Sequence, residues 1–436
     1  MELYLHAARY GMILMILLYV LFTLFYLFKK NQSGFSMLNY LQRLLLFLYH
    51  AAGSSILYLM TENQTILIFY AFQVLFFVAF LLFWRKLYPD SSKMLLNNVC
   101  MLLCVGFLIQ SRLNLDKSIR QFVIVAVAGI GSLLIPWIIR YFRHFDIGWF
   151  LYSVVGIGLL GLIYVAGNTE YGAKLSFSIG STTIQPSEFV KILFVFCTAS
   201  LLRERQSFKR VFLATAIAGA HVLLLVLSRD LGTALVFFLA YLAMLFVATQ
   251  KIRYPALGML AGSAAAVGAF HLFAHVQTRV EVWADPFADP LNSGYQILQS
   301  LFAITTGGFF GMGLYEGRAA AIPVASKDFV FSAISEEMGG LTALAVVFLC
   351  VMNMLQMLRM SARLSERFEK IVVFGLAVVY ASQVLINIGG VTKMIPSTGI
   401  TLPFISYGGS SILATFILFA IIQGYYIRLE DEEDEL

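Results

Sequence analysis

Charged residues are scarce in this chain. Lys, Arg, Asp and Glu together make up 12% of its 436 residues, whereas hydrophobic residues make up 60% and the mean hydropathy is +0.84. Soluble domains carry about 25% charged residues. The composition therefore excludes an ordinary soluble domain and indicates a polytopic membrane protein.

Several patterns that carry chemistry in other proteins are also missing. The four cysteines lie in apolar runs without the spacing of a zinc site, so we expect them to pack in the interior. No Walker loop, HExxH or GxSxG motif occurs, which leaves ATP-driven transport and metalloprotease chemistry without support. The net charge of +6 follows from membrane topology, and we expect no nucleic-acid partner.

The apolar runs are long and numerous. Each crossing of the hydrocarbon core needs about 20 apolar residues in a helix, so the sequence predicts an all-α polytopic membrane protein with about 13 transmembrane helices. The run at 187–202 contains Glu188 and Lys191, and its helix depends on the apolar residues that follow. The predicted spans are 10–28, 41–60, 66–84, 94–110, 121–139, 149–166, 187–202, 211–227, 231–249, 255–274, 329–355, 370–390 and 409–427.

Basic residues are concentrated in alternate loops. With the N-terminus outside, the loops predicted to be cytoplasmic hold 19 of the 30 Lys and Arg residues, as the positive-inside rule requires. The sequence therefore predicts that the loop containing Asp289 faces outward.

The polar stretch YPDSSK at Tyr88–Lys93 divides the predicted spans into two groups. We expect an N-terminal extension of three transmembrane helices at 1–92 and a ten-helix core at 93–428. The acidic residues at 429–436 predict a solvated cytoplasmic tail, with docking of a partner as the alternative.

The stretch VWADPFADPLNSGYQILQSLFAITTGGFFGMG at 282–313 is unusually polar for this protein. The hydrocarbon core cannot solvate Asp285 or Asp289, so these carboxylates must lie at an aqueous face or in a cavity lined by protein. This loop is the first candidate for a functional site.

A second polar motif is QPSEFVK at 185–191. Pro186 can begin a helix, and Glu188 and Lys191, three residues apart, share one face and can pair. The pair either locks helices together, or it places Lys191 against an anionic substrate while Glu188 holds it.

The motif SRDLGT at 228–233 joins two apolar runs with almost no loop. Asp230 is suited to cap the following helix, because its carboxylate can accept the free amides of the first turn. Arg229 could instead reach a phosphate.

Further polar residues fall in the C-terminal third. Asp328, Glu336 and Glu337 lie at or near the start of the predicted span at 329–355, where they line a polar cavity or meet a basic partner such as Lys191. The run IPSTGITLPFISYGGSS at 395–411 has the composition of irregular backbone. It predicts either a connecting loop or a re-entrant segment that lines a ligand groove.

These segments, in this order, resemble one family. The motifs QPSEFVKILF, SRDLGTAL, DPLNSGYQILQSLFAITTGGFFGMGL, DFVFSAISEEMG and IPSTGITLPFISYGGSS are similar to those of the SEDS proteins, the RodA, FtsW and SpoVE group. The resemblance covers roughly residues 94–428 and leaves out the three leading helices.

The resemblance implies a ten-helix core similar to GT-C glycosyltransferases. It also implies an enzyme that polymerises lipid II into glycan strands outside the cytoplasmic membrane of a bacterium, beside a class B penicillin-binding protein. The family's functional aspartate, in the context D-P-x-x-x-G-Y, falls on Asp289, and Asp285 is a second candidate. The expected substrate-binding residues are Glu188, Lys191, Arg112, Lys174, Gln296, Asp328, Glu336, Ser397, Thr398 and Ser406.

Elementary chemistry agrees with this assignment. A sugar hydroxyl must lose a proton as it attacks an anomeric carbon that bears a pyrophosphate, and an ionised aspartate suits that step. Basic groups such as Lys191, Arg112 or Lys174 could stabilise the leaving pyrophosphate. No cofactor is required by the sequence, although a divalent cation, Mg²⁺ or Mn²⁺, could share the charge.

Two other functions are compatible with the same sequence. A lipid II transporter (flippase) would move the lipid-linked sugar without making polymer. A non-catalytic scaffold of the cell-wall synthesis complex would need its contacts alone, and it would need neither Asp289 nor the QPSE helix.

Overall fold

The computed structural model describes residues 2–28, 35–142, 144–170, 173–179, 182–204 and 208–434. These residues are mostly helical, as the sequence predicts for a polytopic membrane protein. The helices are α1 Glu2–Phe28, α2 Phe35–Thr61, α3 Gln64–Leu87, α4 Lys93–Leu113, α5 Leu115–Ser132, α6 Leu134–Tyr141, α7 Trp149–Ala166, α8 Ser187–Leu202, α9 Phe208–Leu227, α10 Leu231–Thr249, α11 Arg253–Leu272, α12 Ala274–Ala284, α13 Tyr295–Gly307, α14 Val330–Glu337, α15 Gly340–Arg363, α16 Arg367–Val391 and α17 Gly409–Asp434.

Twelve stretches in the described part of the chain are long and apolar enough to cross a membrane. They correspond to twelve of the thirteen predicted spans, and α5 and α6 together form one of them, Leu115–Tyr141. The backbone breaks between these two helices at Leu133, and Pro136 in the first turn of α6 lacks the amide that would continue the ladder.

The thirteenth predicted span, 187–202, is the helix α8. It has only 16 residues, and all of them except Phe189 and Leu193 are buried. It packs against α7, α9, α10, α16 and α17. A helix surrounded by protein can carry charged residues such as Glu188 and Lys191, because they do not meet lipid.

The predicted span 329–355 is divided into two helices, α14 and α15. Gly339 separates them. Its φ of +94° is a backbone conformation that residues with a side chain rarely adopt. A Cβ on this residue would stand 2.6 Å from the Gly311 amide nitrogen, so only glycine fits. The apolar run alone gives no sign of this close approach.

A small sheet adds to the helical fold. The strands β1 Asn168–Glu170, β2 Ala173–Ile179 and β3 Thr182–Ile184 form an antiparallel sheet in the order β1-β2-β3. Phe177 of β2 is opposite Ile184 of β3. The sheet occupies the connection between α7 and α8 and leads directly to the QPSE motif.

The first two helices are joined to the rest of the protein by buried hydrogen bonds. Gln42 of α2 donates to the Thr23 hydroxyl (3.0 Å) and accepts from the Asn97 amide (2.9 Å). Asn98 of α4 accepts from Thr23 (3.4 Å) and donates to Asn353 of α15 (2.9 Å). Polar groups buried at membrane depth must find partners, so this network fixes α1 and α2 against α4 and α15.

The acidic C-terminus is an extension of α17. The helix continues to Asp434, and Glu430 and Glu433 pair with the two terminal nitrogens of Arg363, each at 2.6 Å. Asp431 pairs with Arg140 at 3.0 Å. The stretch 429–434 is therefore helical, and its carboxylates pair with Arg363 and Arg140 while Glu432 and Glu433 stay exposed.

Candidate active site

A cavity of about 940 Å³ lies where the polar segments of the sequence meet. It is bounded by α5, β2, β3, the first turns of α8 and α10, the helices α12 and α13, and the two irregular segments before α14 and α17. The irregular run at 395–411 lines the cavity at Ser397, Thr398 and Gly399, which agrees with the groove alternative. This volume is in the range of ligand-binding clefts.

The charges around the cavity are mostly basic. Its wall includes the carboxylates of Glu188, Asp230 and Asp328. Five cationic residues surround them. These are Arg120, Arg229, Arg279, Lys327 and Lys393. An excess of positive charge suits a ligand with two or more negative charges.

Glu188 and Lys191 form the predicted ion pair on α8. Glu188 reaches the cavity, whereas Lys191 is 2% exposed and lies behind it. Asp230 caps α10 as predicted, since it accepts the Thr233 amide at 3.1 Å. It also lines the cavity and accepts from the Ser187 hydroxyl at 3.4 Å. The ion pair and the helix cap are therefore present as predicted. Lys191 does not face the cavity, whereas Arg229, the other candidate of SRDLGT, lines it.

Asp328 is the predicted residue with the most perturbed environment. Burial raises the pKa of its carboxyl to about 6, and the charges of Lys327 and Arg279 oppose that rise. Its backbone carbonyl accepts from the Asn387 amide at 2.9 Å, which holds the residue at the start of α14. Its carboxyl group therefore titrates in the wall of the cavity near neutral pH.

Asp289 lies at the rim of the cavity and does not line it. Its carboxylate accepts hydrogen bonds from the Asn292 amide (2.9 Å), the Ser293 amide (3.1 Å) and the Ser293 hydroxyl (3.0 Å). Ser293 is itself part of the cavity wall. These hydrogen bonds lower the pKa of Asp289, with the Ser293 amide contributing most. The Asp289 carboxylate is therefore ionised, and it contacts Ser293, which lines the cavity.

The predicted substrate-binding residues divide into two sets. Glu188, Gln296, Asp328, Ser397 and Thr398 line the cavity. The other set, Lys191, Arg112, Lys174, Glu336 and Ser406, does not.

Each residue of the second set is engaged by other protein groups. Arg112 forms a two-point ion pair with Glu337, at 2.8 and 3.0 Å. Lys174 donates to the Tyr164 carbonyl at 2.8 Å. Glu336 accepts the Arg318 amide at 2.9 Å, and the Ser406 hydroxyl binds the Leu402 amide at 2.8 Å.

The cationic residues Arg279 and Lys393 were not predicted as site residues. Arg279 projects from α12, and its guanidinium donates to the Ser397 carbonyl at 3.3 Å. Lys393 donates to the Ala284 carbonyl at 3.3 Å, and the Trp283 indole donates to the Lys393 carbonyl at 3.1 Å. Both residues belong to the Lys and Arg residues that the sequence does not place in cytoplasmic loops. The signal in the sequence that could have identified them as site residues was their position beside polar motifs.

Among the described residues, no three His, Cys, Asp or Glu side chains lie together as ligands would. A divalent cation carried with a pyrophosphate stays a separate prediction.

The cavity should bind anions more tightly in acid. Below about pH 6 Asp328 is neutral, so the cavity is more positive; above it the carboxylate repels an anion. We expect the KM for a pyrophosphate substrate to be about 3- to 10-fold lower at pH 5 than at pH 7. Asp289 stays ionised over this range and does not contribute to the change of KM with pH.

Initial rates measured across pH 5–7 with wild-type protein and Asp328→Asn would test this. The variant should show the low KM at every pH. A wild-type KM that is flat, or a variant that keeps the slope, would contradict the assignment.

Sequence comparison establishes the family. The FtsW, RodA and SpoVE family model, described as "Cell cycle protein", matches residues 65–427. The chain is a SEDS protein. The match begins at residue 65, so it includes α3, which the resemblance noted in the sequence had left outside.

The named relatives of this SEDS protein include peptidoglycan glycosyltransferases. Peptidoglycan glycosyltransferase RodA of Mycobacterium tuberculosis is 33% identical over 376 residues, which cover 78% of each chain. Stage V sporulation protein E of Bacillus subtilis is 36% identical, over 62% of this chain and 76% of its own. A probable peptidoglycan glycosyltransferase FtsW of Aliivibrio salmonicida is 30% identical, over 80% and 90%.

Solved structures agree with the fold of this SEDS protein. One, described as "Structural coordination of polymerization and crosslinking by a peptidoglycan synthase complex", has a TM-score of 0.67 at 25% identity, covering 77% of this chain and 97% of its own. RodA of Thermus thermophilus has a TM-score of 0.58 at 22% identity, covering 77% and 96%. The latter likeness concerns the fold alone.

Proposed function

We propose that this protein is a peptidoglycan glycosyltransferase that polymerises lipid II into glycan strands, with Asp289 as the general base. The observation that carries the proposal is the cavity, where five cationic residues surround three carboxylates and the Asp289 turn forms the rim. Membership of the family and the names of the curated relatives support the same activity.

The reaction joins two lipid-linked saccharides. A hydroxyl oxygen of one sugar forms a bond to the anomeric carbon of the other, and the bond from that carbon to the pyrophosphate breaks. The hydroxyl proton passes to the Asp289 carboxylate. Direct displacement inverts the configuration at the anomeric carbon.

The leaving pyrophosphate gathers negative charge as the bond breaks. Arg279, Lys393 and Lys327 all line the cavity. Arg279 donates to the Ser397 carbonyl, Lys393 donates to the Ala284 carbonyl, and Lys327 directly precedes Asp328. Preorganised cations placed where charge develops stabilise the transition state most. We assign pyrophosphate binding to these cations, in place of Arg112, Lys174 and Lys191.

The proposed location is the cytoplasmic membrane of a bacterium, with the cavity facing outward. This orientation follows from the basic loops, which hold most of the Lys and Arg residues on the other side. The proposed partners are lipid II, the surrounding lipid and a class B penicillin-binding protein that crosslinks the product. A structural relative is part of a complex that coordinates polymerisation and crosslinking, which supports the last of these.

Purified full-length protein in liposomes, incubated with lipid II, should produce glycan strands that gel electrophoresis resolves by length. We expect longer or more abundant strands when a candidate transpeptidase is added. Movement of lipid II between leaflets without polymer would favour a flippase. Neither activity, in protein that is folded and that restores growth of a deletion strain, would favour a scaffold.

A further inference from the structure

Arg9 of α1 is bonded to three consecutive carbonyl groups of the segment that follows α13. Its Nε donates to the Phe310 carbonyl and one terminal nitrogen donates to the Met312 carbonyl, each at 3.0 Å. The other terminal nitrogen donates to the Gly311 carbonyl. Tyr10 adds a ring contact to Phe310, with centroids 5.6 Å apart. The first turns of α1 therefore hold this segment directly.

The opposite edge of the same segment is fixed to the end of α14. The Met312 amide donates to the Glu336 carbonyl at 2.7 Å, and the Gly313 amide donates to the Glu337 carbonyl at 3.0 Å. Gly311 has φ +77, and a Cβ there would stand 2.5 Å from the Glu337 carbonyl oxygen. Arg9 thus forms hydrogen bonds with the carbonyl groups of this backbone, and the end of α14 forms hydrogen bonds with its amide groups.

This segment anchors α13, a helix whose first turn walls the cavity. α13 runs from Tyr295 to Gly307 and enters the segment directly, and its first turn places Gln296 and Ile297 in the cavity wall. Its length is about 20 Å at 1.5 Å per residue. The Asp289 turn precedes it, and the Gly294 amide donates to the Asp289 carbonyl at 2.9 Å. A shift at the anchor is therefore carried to the rim.

We infer that Arg9 is a positioning residue for glycosyl transfer, which sets the placement of α13 and of the Asp289 turn from outside the cavity. The inference rests on the proposed function only for its activity readout. It gives the N-terminal segment, which the resemblance in the sequence left without a role, a direct part in shaping the active site.

The chemistry of the side chain explains why arginine stands here. Its guanidinium presents five N–H donors in a planar fork, which can reach three successive carbonyls at once. A lysine would keep the charge but offers donors from a single nitrogen. Within an apolar span, a cation is tolerated only where its donors are used, so the carbonyls and Arg9 satisfy each other.

Distance measurements by electron paramagnetic resonance would test the positioning without any substrate. Spin labels attached to Leu291→Cys in the Asp289 turn and Met394→Cys after α16 report the width of the cavity mouth, because both native side chains are exposed and the four native cysteines are buried. We expect a narrow distance distribution in the otherwise wild-type protein, a broad one with Arg9→Met and an intermediate one with Arg9→Lys.

Thr23→Val is the matched control, since Thr23 joins the same helix to Gln42 and Asn98 without contacting 310–312. It should lower the melting temperature and leave the distance distribution narrow. In lipid II polymerisation by unlabelled full-length protein, Arg9→Met should lower kcat about tenfold with little change in KM, with partial rescue by Arg9→Lys.

Each outcome decides one of the two proposals. A narrow distribution in Arg9→Met, or equal broadening in Thr23→Val, would overturn the inference even if the wild-type protein polymerises lipid II. Suppose instead that the distance distribution broadens in Arg9→Met but not in Thr23→Val, and that the wild-type protein makes no polymer. That result would uphold the positioning role and overturn the proposed function.

Discussion

Asp289→Asn should reduce lipid II polymerisation by about 10²- to 10⁴-fold, the contribution expected of a positioned general base. Asparagine keeps one acceptor oxygen for the Asn292 and Ser293 donors, so the turn before α13 should persist. It cannot take the proton of the attacking hydroxyl. The initial rate of glycan formation, measured at saturating lipid II, checks this expectation.

Asp285→Asn is the matched control for that variant. Like Asp289, Asp285 is an aspartate before a proline that does not line the cavity. It is exposed and accepts the Phe287 amide at 3.0 Å. We expect it to retain activity within a few-fold of wild type. Equal losses in the two variants would contradict the assignment of the base to Asp289, and the melting temperature would show whether either variant is misfolded.

Lys191→Met should destabilise the protein by about 3–5 kcal/mol, because it leaves the buried Glu188 carboxylate without its partner. Polymerisation should be lost with it, since Glu188 is part of the cavity wall. Thermal unfolding in detergent and the yield of folded protein measure the first effect. The second is measured on the fraction that remains folded.

The double variant Glu188→Gln with Lys191→Met separates stability from function. It removes both charges and should recover most of the lost stability, because no unpaired ion remains buried. We expect polymerisation to stay low, since the cavity lacks the Glu188 carboxylate. A double variant as active as wild type would show that the pair serves only to hold α8 in place.

The sequence predicted the class of fold through strong and simple signals. Long apolar runs specify membrane helices, so twelve of the thirteen spans coincide with helices that can cross a membrane. The two exceptions have separate causes. The helix α8 has the predicted bounds, but with 16 residues it is shorter than a membrane crossing needs, and the break at Gly339 depends on the backbone of Phe310 and Gly311, which is distant in sequence.

The site was predictable where a motif carries a side chain to the end of a helix. Glu188 in the first turn of α8 and Asp328 just before α14 reach the cavity from such positions. Arg112 was misleading because charge alone cannot tell a substrate ligand from half of an ion pair, and its partner Glu337 lies more than two hundred residues later. Arg279 was missed for the converse reason, since α12 is an amphiphilic helix without a motif.

The burial of α8 has a consequence for biogenesis. Its protein neighbours include α16, which begins at Arg367, 165 residues beyond Leu202. At about 5–20 residues per second of synthesis, α8 is complete on the order of ten seconds before α16 begins to be made. Until then α8 can pack only against its earlier neighbours α7, α9 and α10, so its burial is completed late in synthesis.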